Sequence, residues 1–445
     1  MDNINTDNDT DNNTDNDGEF NARQSPSRHE AFMVWLRIGL LSFGGPAAQI
    51  ALMHREIVDK KQWLSEQQYL NALSFCMLLP GPEAMQLATY VGWRLHGTIG
   101  GLVAGLLFVL PGAAVVLALA ATYAVYGELS LVATLFLGIK AAIIIVVVEA
   151  LVKVSKRALQ LPKHWIIASL AFMGIFFLAL PFPLIILLAA FFGFIQADAQ
   201  LDNTSSDRLS ITLASTLSTT ILWLAVWWLP MLAIAVFASS SLLLELGVFF
   251  SKLAVVTFGG AYAVLAYLGQ DVVVHYGWLT AGEMMDGLGL AETTPGPLIL
   301  VNEFVGFLAA YREGGLWFGV LGALVTLWAT FVPCFLWIFV GAPYIDWIAS
   351  QARLRSALTA ITAAVVGVIL NLTIWLALHV FFTEVVAEKY GPLVLWLPDL
   401  NSIDWRVIGL STLCAVLMFK FHWGILRVLV FSSCGGLALF TLAGG

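Results

Sequence analysis

The sequence predicts an all-α, polytopic membrane protein built from two homologous halves. Three observations carry that prediction: an extreme apolar composition, apolar runs of spanning length, and a set of motifs that occurs twice in one register. Of 445 residues, 60% are hydrophobic and 11% charged, and no water-soluble domain of this length hides so much apolar surface. Runs that approach or exceed the roughly 20 residues needed to cross about 30 Å of hydrocarbon recur from Phe32 to the C-terminus. They are continuously apolar rather than alternating, which selects helices over a barrel; 38 glycines and 15 prolines are ordinary within membrane helices.

Residues 1–31 read as a disordered tail. It begins with Asp2, Asp7, Asp9, Asp11, Asp15, Asp17 and Glu19 and no Lys or Arg through residue 22. With neither a basic nor an apolar region there, it is not a signal peptide. All but one unit of the formal net charge of −8 belongs to this tract, so the acidic balance says little about partners and suggests no nucleic acid. Cys76, Cys334, Cys414 and Cys434 lie in or beside apolar runs without CxxC spacing or a histidine cluster. The sequence therefore suggests packing cysteines, with no disulfide framework, metal or cofactor.

The repeat emerges when Phe43-Gly44-Gly45 is laid over Phe258-Gly259-Gly260, an offset of 215. The same offset pairs Trp63-Leu64-Ser65 with Trp278-Leu279-Thr280, and Pro80-Gly81-Pro82 with Pro295-Gly296-Pro297. At an offset of 214, Tyr90-Val91-Gly92 meets Phe304-Val305-Gly306, and Gly100-Gly101 meets Gly314-Gly315. The expected organisation is a first transporter-like unit over 32–195, a polar linker over 196–218, and a second unit with an extra span over 219–445.

Ser65-x-x-Gln68 and Thr280-x-x-Glu283 are capping boxes, each starting a helix at the membrane surface. From residue 70 to 79 the first of these helices rises about 15 Å, half the hydrocarbon thickness, before Pro80-Gly81-Pro82 interrupts it. A similar count from Phe32 places Gly44-Gly45-Pro46 deep in the bilayer. Each half thus holds two broken helices. Arg55, Lys60 and Lys61 lie between the first two, whereas residues 268–283 contain no Lys or Arg. The positive-inside rule then predicts an inverted-topology repeat with re-entrant hairpins; helices that cross fully remain the alternative, at the cost of one basic cluster on the wrong face.

A broken helix presents unpaired N–H groups at the start of its second half, a ready site for an anion. The candidate binding residues are Ser42, Phe43, Gly44, Gly45, Gln49, Pro80, Gly81, Pro82 and Gln86 in the first half. Their second-half companions are Thr257, Gly259, Gly260, Thr293, Thr294, Pro295, Gly296, Pro297 and Asn302. Arg37 and Lys252 are cationic candidates; Glu83, Glu292 and Glu303 are candidate proton-coupling groups. The plainer alternatives are close helix packing at the glycines, snorkelling for Arg37 and Lys252, and interhelical hydrogen bonds from protonated acids.

The phrases Phe43-Gly-Gly-Pro46, Pro80-Gly-Pro-Glu-Ala-Met-Gln-Leu-Ala-Thr-Tyr90, Phe258-Gly-Gly260 and Glu292-Thr-Thr-Pro-Gly-Pro297 resemble the paired signatures of the two-domain chromate ion transporter family. The resemblance runs from about Phe32 to the C-terminus and leaves out the acidic tail. It implies export of chromate across the inner (plasma) membrane, giving resistance, with sulfate as competitor and the proton motive force as energy source. Uniport and proton antiport both stay open, as does a homodimer. A general sulfate or oxyanion carrier is the main rival. An intramembrane lipid-phosphate enzyme is disfavoured because HExxH, GxSxG and paired-Asp metal motifs are missing.

Overall fold

The computed structural model describes residues 26–127, 129–196, 213–237, 240–258, 261–391 and 393–442. The acidic tract, most of the linker, and Gly259 and Gly260 lie outside them. The described residues are helical apart from one short β-hairpin and the connections. Five helices are long and apolar enough to cross a bilayer: Glu83–Tyr126, Thr134–Ala158, Leu213–Phe237, Leu298–Tyr344 and Ala352–Phe381.

The first half opens with α1 (Arg28–Leu41), α2 (Gly45–His54), α3 (Glu66–Cys76) and α4 (Glu83–Tyr126). Ser27 caps α1 by accepting from Glu30 N at 3.1 Å. This Ser-x-x-Glu cap starts the helix at Arg28, inside the segment assigned from the sequence to the tail. α2 runs on through a π-turn at Arg55–Lys60 and returns to the start of α1, where Lys61 pairs with Glu30 at 2.7 Å and Trp35 packs on Trp63. His54 meets Glu66 at the head of α3 at 2.6 Å. α4 comes back to the same place, with His96 on the Pro26 carbonyl at 2.8 Å. α1, α2, α3 and the first arm of α4 therefore form two hairpins of half-length helices whose ends share one face.

At His96 and Gly97 α4 reverses (φ −138° and 66°), and its second arm returns along the first with Gly100 against Gly92. It is followed by α5 (Ser130–Ala158), α6 (Pro162–Phe176), α7 (Phe182–Ile195) and α8 (Leu213–Phe237). The second half repeats the plan with α9 (Leu242–Val256), α10 (Ala261–Gln270) and its π-turn Asp271–His275, α11 (Ala281–Thr293) and α12 (Val301–Gly341). After α13 (Ile345–Ser350) and α14 (Ala352–Phe381) come β1 (Val385–Tyr390), β2 (Leu393–Pro398), α15 (Trp405–Ala415) and α16 (Ile425–Leu442).

The reversals correct one pairing of the sequence comparison. α12 turns back at Gly314 and Gly315 with φ of −137° and 72°, so Gly314-Gly315 is the counterpart of His96-Gly97, not of Gly100-Gly101. Gly322 packs on Gly306 as Gly100 packs on Gly92. The second hairpin is about one helical turn longer in each arm, and two glycine pairs one turn apart fall into false register.

One helix stop recurs four times. Gln62, Ala179, Gly277 and His422 take φ of 51°, 48°, 63° and 53°. In each case the next N–H reaches back six residues: Trp63 to Ile57, Leu180 to Gly174, Trp278 to Val272 and Trp423 to Leu417, at 2.9–3.1 Å. A left-handed residue that returns N–H groups to orphan carbonyls is a general way to end a helix. Here it joins α2 to α3, α6 to α7, α10 to α11 and α15 to α16.

The halves exchange contacts. Gly193 of α7 packs on Ser356 and Ala360 of α14, while Gly436 of α16 packs on Thr134 and Gly138 of α5. These are the same contacts with the halves swapped, at an offset of 222 between α5 and α14. Each half lays its last hairpin on the other's second long helix, as a two-fold relation requires. Both capping boxes form, with Ser65 Oγ accepting from Gln68 N and Thr280 Oγ1 from Glu283 N at 3.2 Å. Ser65→Ala is expected to cost about 1 kcal/mol of stability, read as a lower melting temperature of the detergent-purified protein.

Candidate functional site

The breaks are made by proline, which removes an N–H, and by glycine at positive φ. Gly44, Gly45, Gly81 and Gly296 have φ of 87°, 77°, 121° and 92°. At the centre of the molecule the breaks cross between halves. Gly81 N–H donates to the Thr257 carbonyl at 2.8 Å, and Gly296 N–H donates to the Ser42 carbonyl at 2.9 Å. These two bonds are counterparts, again with the halves exchanged. Gln49 clamps one of them, its amide donating to Gly296 O at 2.6 Å and Ser42 O at 3.3 Å. Gln86 donates to Pro80 O at 2.7 Å. Because Gln49 is 1% exposed, Gln49→Leu leaves carbonyls short of a donor and is expected to cost about 1–3 kcal/mol, measured by thermal unfolding.

Pro46, Gln49, Pro82, Glu83, Pro297 and Leu298 line a cavity of about 10 Å³ at this crossing. It lies at the N-termini of α2 and α4 and of the turn that opens α12. First-turn N–H groups have no intrahelical acceptor and carry the positive end of the helix dipole, so three positive ends converge on one point. The cavity has room for about one water.

The other candidates occupy distinct positions. The hydroxyls of Ser42, Thr257, Thr293 and Thr294 donate to Ile38, Leu253, Leu290 and Ala291 carbonyls, so they close the ends of their own helices. Asn302 donates to Thr330 Oγ1 at 3.2 Å, leaving its buried amide oxygen unpartnered. Glu292 accepts from the Tyr262 hydroxyl at 2.8 Å. Glu303 is 1% exposed and has a buried oxygen with no partner. Arg37 and Lys252 are exposed on the outer faces of α1 and α9, and neither lines the cavity. Phe43 and Gly44 are exposed.

The chromate transporter family profile matches residues 29–194 and 244–439, so each matched region holds two of the four breaks. The chain belongs to the chromate transporter family. It is 32% identical over 424 residues to the chromate transport protein of Pseudomonas aeruginosa, covering 92% of this chain and 91% of that one. It is 30% identical over 366 residues to the chromate transport protein of Cupriavidus metallidurans, covering 81% and 85%. No solved structure matches it.

This chromate transporter family member also has a polar cluster around the buried Asp286 that the sequence reading missed. Lys140 Nζ of α5 lies 3.3 Å from Asp286 Oδ1 of α11, and the Tyr123 hydroxyl of α4 donates to Asp286 Oδ2 at 2.7 Å. The cluster ties two long helices of the first half to a broken helix of the second. A lysine inside a long apolar run was signal enough. The repeat comparison hid its partner, because the position matching Asp286 is Asn71.

Proposed function

We propose that the chain exports chromate from the cytoplasm across the inner membrane, giving chromate resistance, and that the anion is held where the four breaks cross. The convergence of helix N-termini on the cavity carries this reading: it concentrates N–H donors at one point, as a tetrahedral oxyanion requires. The hairpins are re-entrant from opposite faces, with the loop bearing Arg55, Lys60 and Lys61 in the cytoplasm and the loop after Asp271 outside.

Glu83 shares the cavity. A carboxyl in contact with a dianion is tolerable only when neutral, so anion and proton occupancy rise together. A bare dianion leaving a negative interior gains about 4.6 kcal/mol per 100 mV; carried with one proton it gains about half of that. Chromate uptake into everted vesicles, with membrane potential and pH gradient imposed separately and sulfate added as competitor, tests this reading. Uptake driven by an inside-positive potential supports it. Sulfate flux without chromate flux would replace the substrate, and no flux of either would remove the transport reading.

A further inference from the structure

Glu56 and Asp271 hold the same place on the two π-turns, and the residue four positions on is Lys60 in the first half and His275 in the second. In the first half this is an ion pair within one helical turn: Lys60 Nζ sits 2.7 Å from Glu56, which is 4% exposed. In the second half the basic partner is an imidazole, whose charge changes in the physiological range. A second difference points the same way. Glu149 of α5 pairs with Lys153 at 2.7 Å. Their counterparts in α14, at the offset of 222 that the helix packing establishes, are Asn371 and Trp375. Both acidic positions of the first half are thus locked by lysines. In the second half one is a neutral amide and the other faces a histidine.

The second half also has room there. Tyr267, Asp271, His275 and Asn371 line a cavity of about 270 Å³ between the π-turn, α14 and the turn joining α6 to α7. That is space for several waters, with polar groups to hold them. His275 is exposed and Asp271 half-buried, so the cavity opens at the surface of the molecule. The β-hairpin closes over the neighbouring turn, with Val394 N–H donating to the Phe177 carbonyl at 2.8 Å.

We infer that this cavity is a proton-binding vestibule of the second half, in which Asp271, with His275 beside it, takes up a proton from the aqueous phase on that face, while the matching position of the first half stays paired with Lys60. Tyr267 and Tyr276 are the other titratable groups beside Asp271, and Glu245 of α9 acts on Tyr276. α14 contributes the Asn371 amide, and the α6–α7 turn contributes apolar groups such as Pro181 and Phe182. Burial holds the Asp271 carboxyl above the usual carboxylate range, against the opposing pull of Tyr267 and His275. The hydrogen bond from Lys60 holds Glu56 below that range, against its burial. The first carboxyl therefore protonates at a higher pH than a free aspartate, and the second at a lower pH than a free glutamate.

The use of this proton in transport rests on the proposed function; its binding does not. The test is pH-dependent infrared difference spectroscopy of the full-length protein in lipid nanodiscs, paired with vesicle flux at varied pH on each side. A protonated-carboxyl band should grow on acidification and vanish in Asp271→Asn. His275→Lys copies the first half and should move the band's midpoint to lower pH by about one unit or more, a tenfold change in proton concentration. Lys60→His should add a second titrating carboxyl, lost again in the Glu56→Gln background. Asp271→Asn should flatten the dependence of chromate flux on pH at that face, and His275→Lys should shift it to lower pH. An unchanged band in Asp271→Asn, or an unmoved midpoint in His275→Lys, would overturn the inference. A band that behaves as stated without chromate flux in wild type would leave the proton site standing and remove the proposed substrate.

Discussion

Gly81→Ala and Gly296→Ala are each expected to lower chromate flux at least tenfold while the protein still inserts and purifies as a folded species. Two effects add. A residue other than glycine at φ of 121° or 92° is strained by about 1–3 kcal/mol, and 1.4 kcal/mol is already tenfold in an equilibrium. The new methyl group also displaces neighbouring side chains. At Gly81 it would lie 2.8 Å from Gln86 Nε2 and 2.9 Å from Cys334 Sγ; at Gly296 it would lie 2.9 Å from Leu300 Cδ1 and 3.4 Å from Gly112 Cα. Relief pushes apart the two inter-half bonds that define the crossing, together with the N-termini that converge there.

Gly97 and Gly277 supply the control, since they share positive φ but have nothing within 4 Å of an added Cβ. Gly97→Ala and Gly277→Ala carry strain without a clash and lie at a hairpin reversal and a helix–helix turn rather than at the crossing. The backbone cost of about 1–2 kcal/mol therefore falls on overall stability, and flux per folded molecule should stay within about threefold of wild type. If all four variants lose flux alike, the loss reports general stability and the crossing is not the site.

The breaks and the repeat were legible because each has a local chemical cause. Proline and glycine interrupt a helix wherever it packs, and a capping box starts one wherever it ends, so Ser65, Pro80-Gly81-Pro82 and their counterparts could be read one residue at a time. The joining of Gly81 to Thr257 and of Gly296 to Ser42 depends instead on how two halves dock, and sequence spacing says nothing of it. The same limit explains the hydroxyls. Ser42 and Thr257 looked like anion donors by type, yet a serine or threonine at a helix end finds the carbonyl four residues back more readily than a ligand. Gly314-Gly315 misled for a different reason: a glycine pair fits both a reversal and a helix contact, and only backbone angles separate the two. Lys140 was visible in the sequence, but its meaning needed Asp286, which approaches from the other half.

That pair gives the second large effect. Removing one member of a fully buried ion pair costs about 3–5 kcal/mol because the other is left uncompensated, whereas replacing both is close to neutral; with Lys140 part-exposed, the cost here falls at the low end of that range. The two singles should differ. The Lys140 side chain is 27% exposed and the Asp286 side chain 6%, so a lone ammonium can flex toward water along its apolar stem, while a lone carboxylate cannot. The Tyr123 hydrogen bond stays with Asp286 but carries no charge to offset it. Lys140→Met is therefore expected to be the more damaging change, losing most of the folded protein on detergent extraction. Asp286→Asn should melt lower but survive, since its amide oxygen still accepts from Tyr123. The double variant should recover the melting temperature lost in Lys140→Met. Because the cluster ties α4 and α5 to a broken helix of the opposite half, the recovered double variant also separates holding from moving. If its flux returns with its stability, the pair only fastens the halves. If stability returns and flux does not, the charges themselves take part as the hairpins part and close.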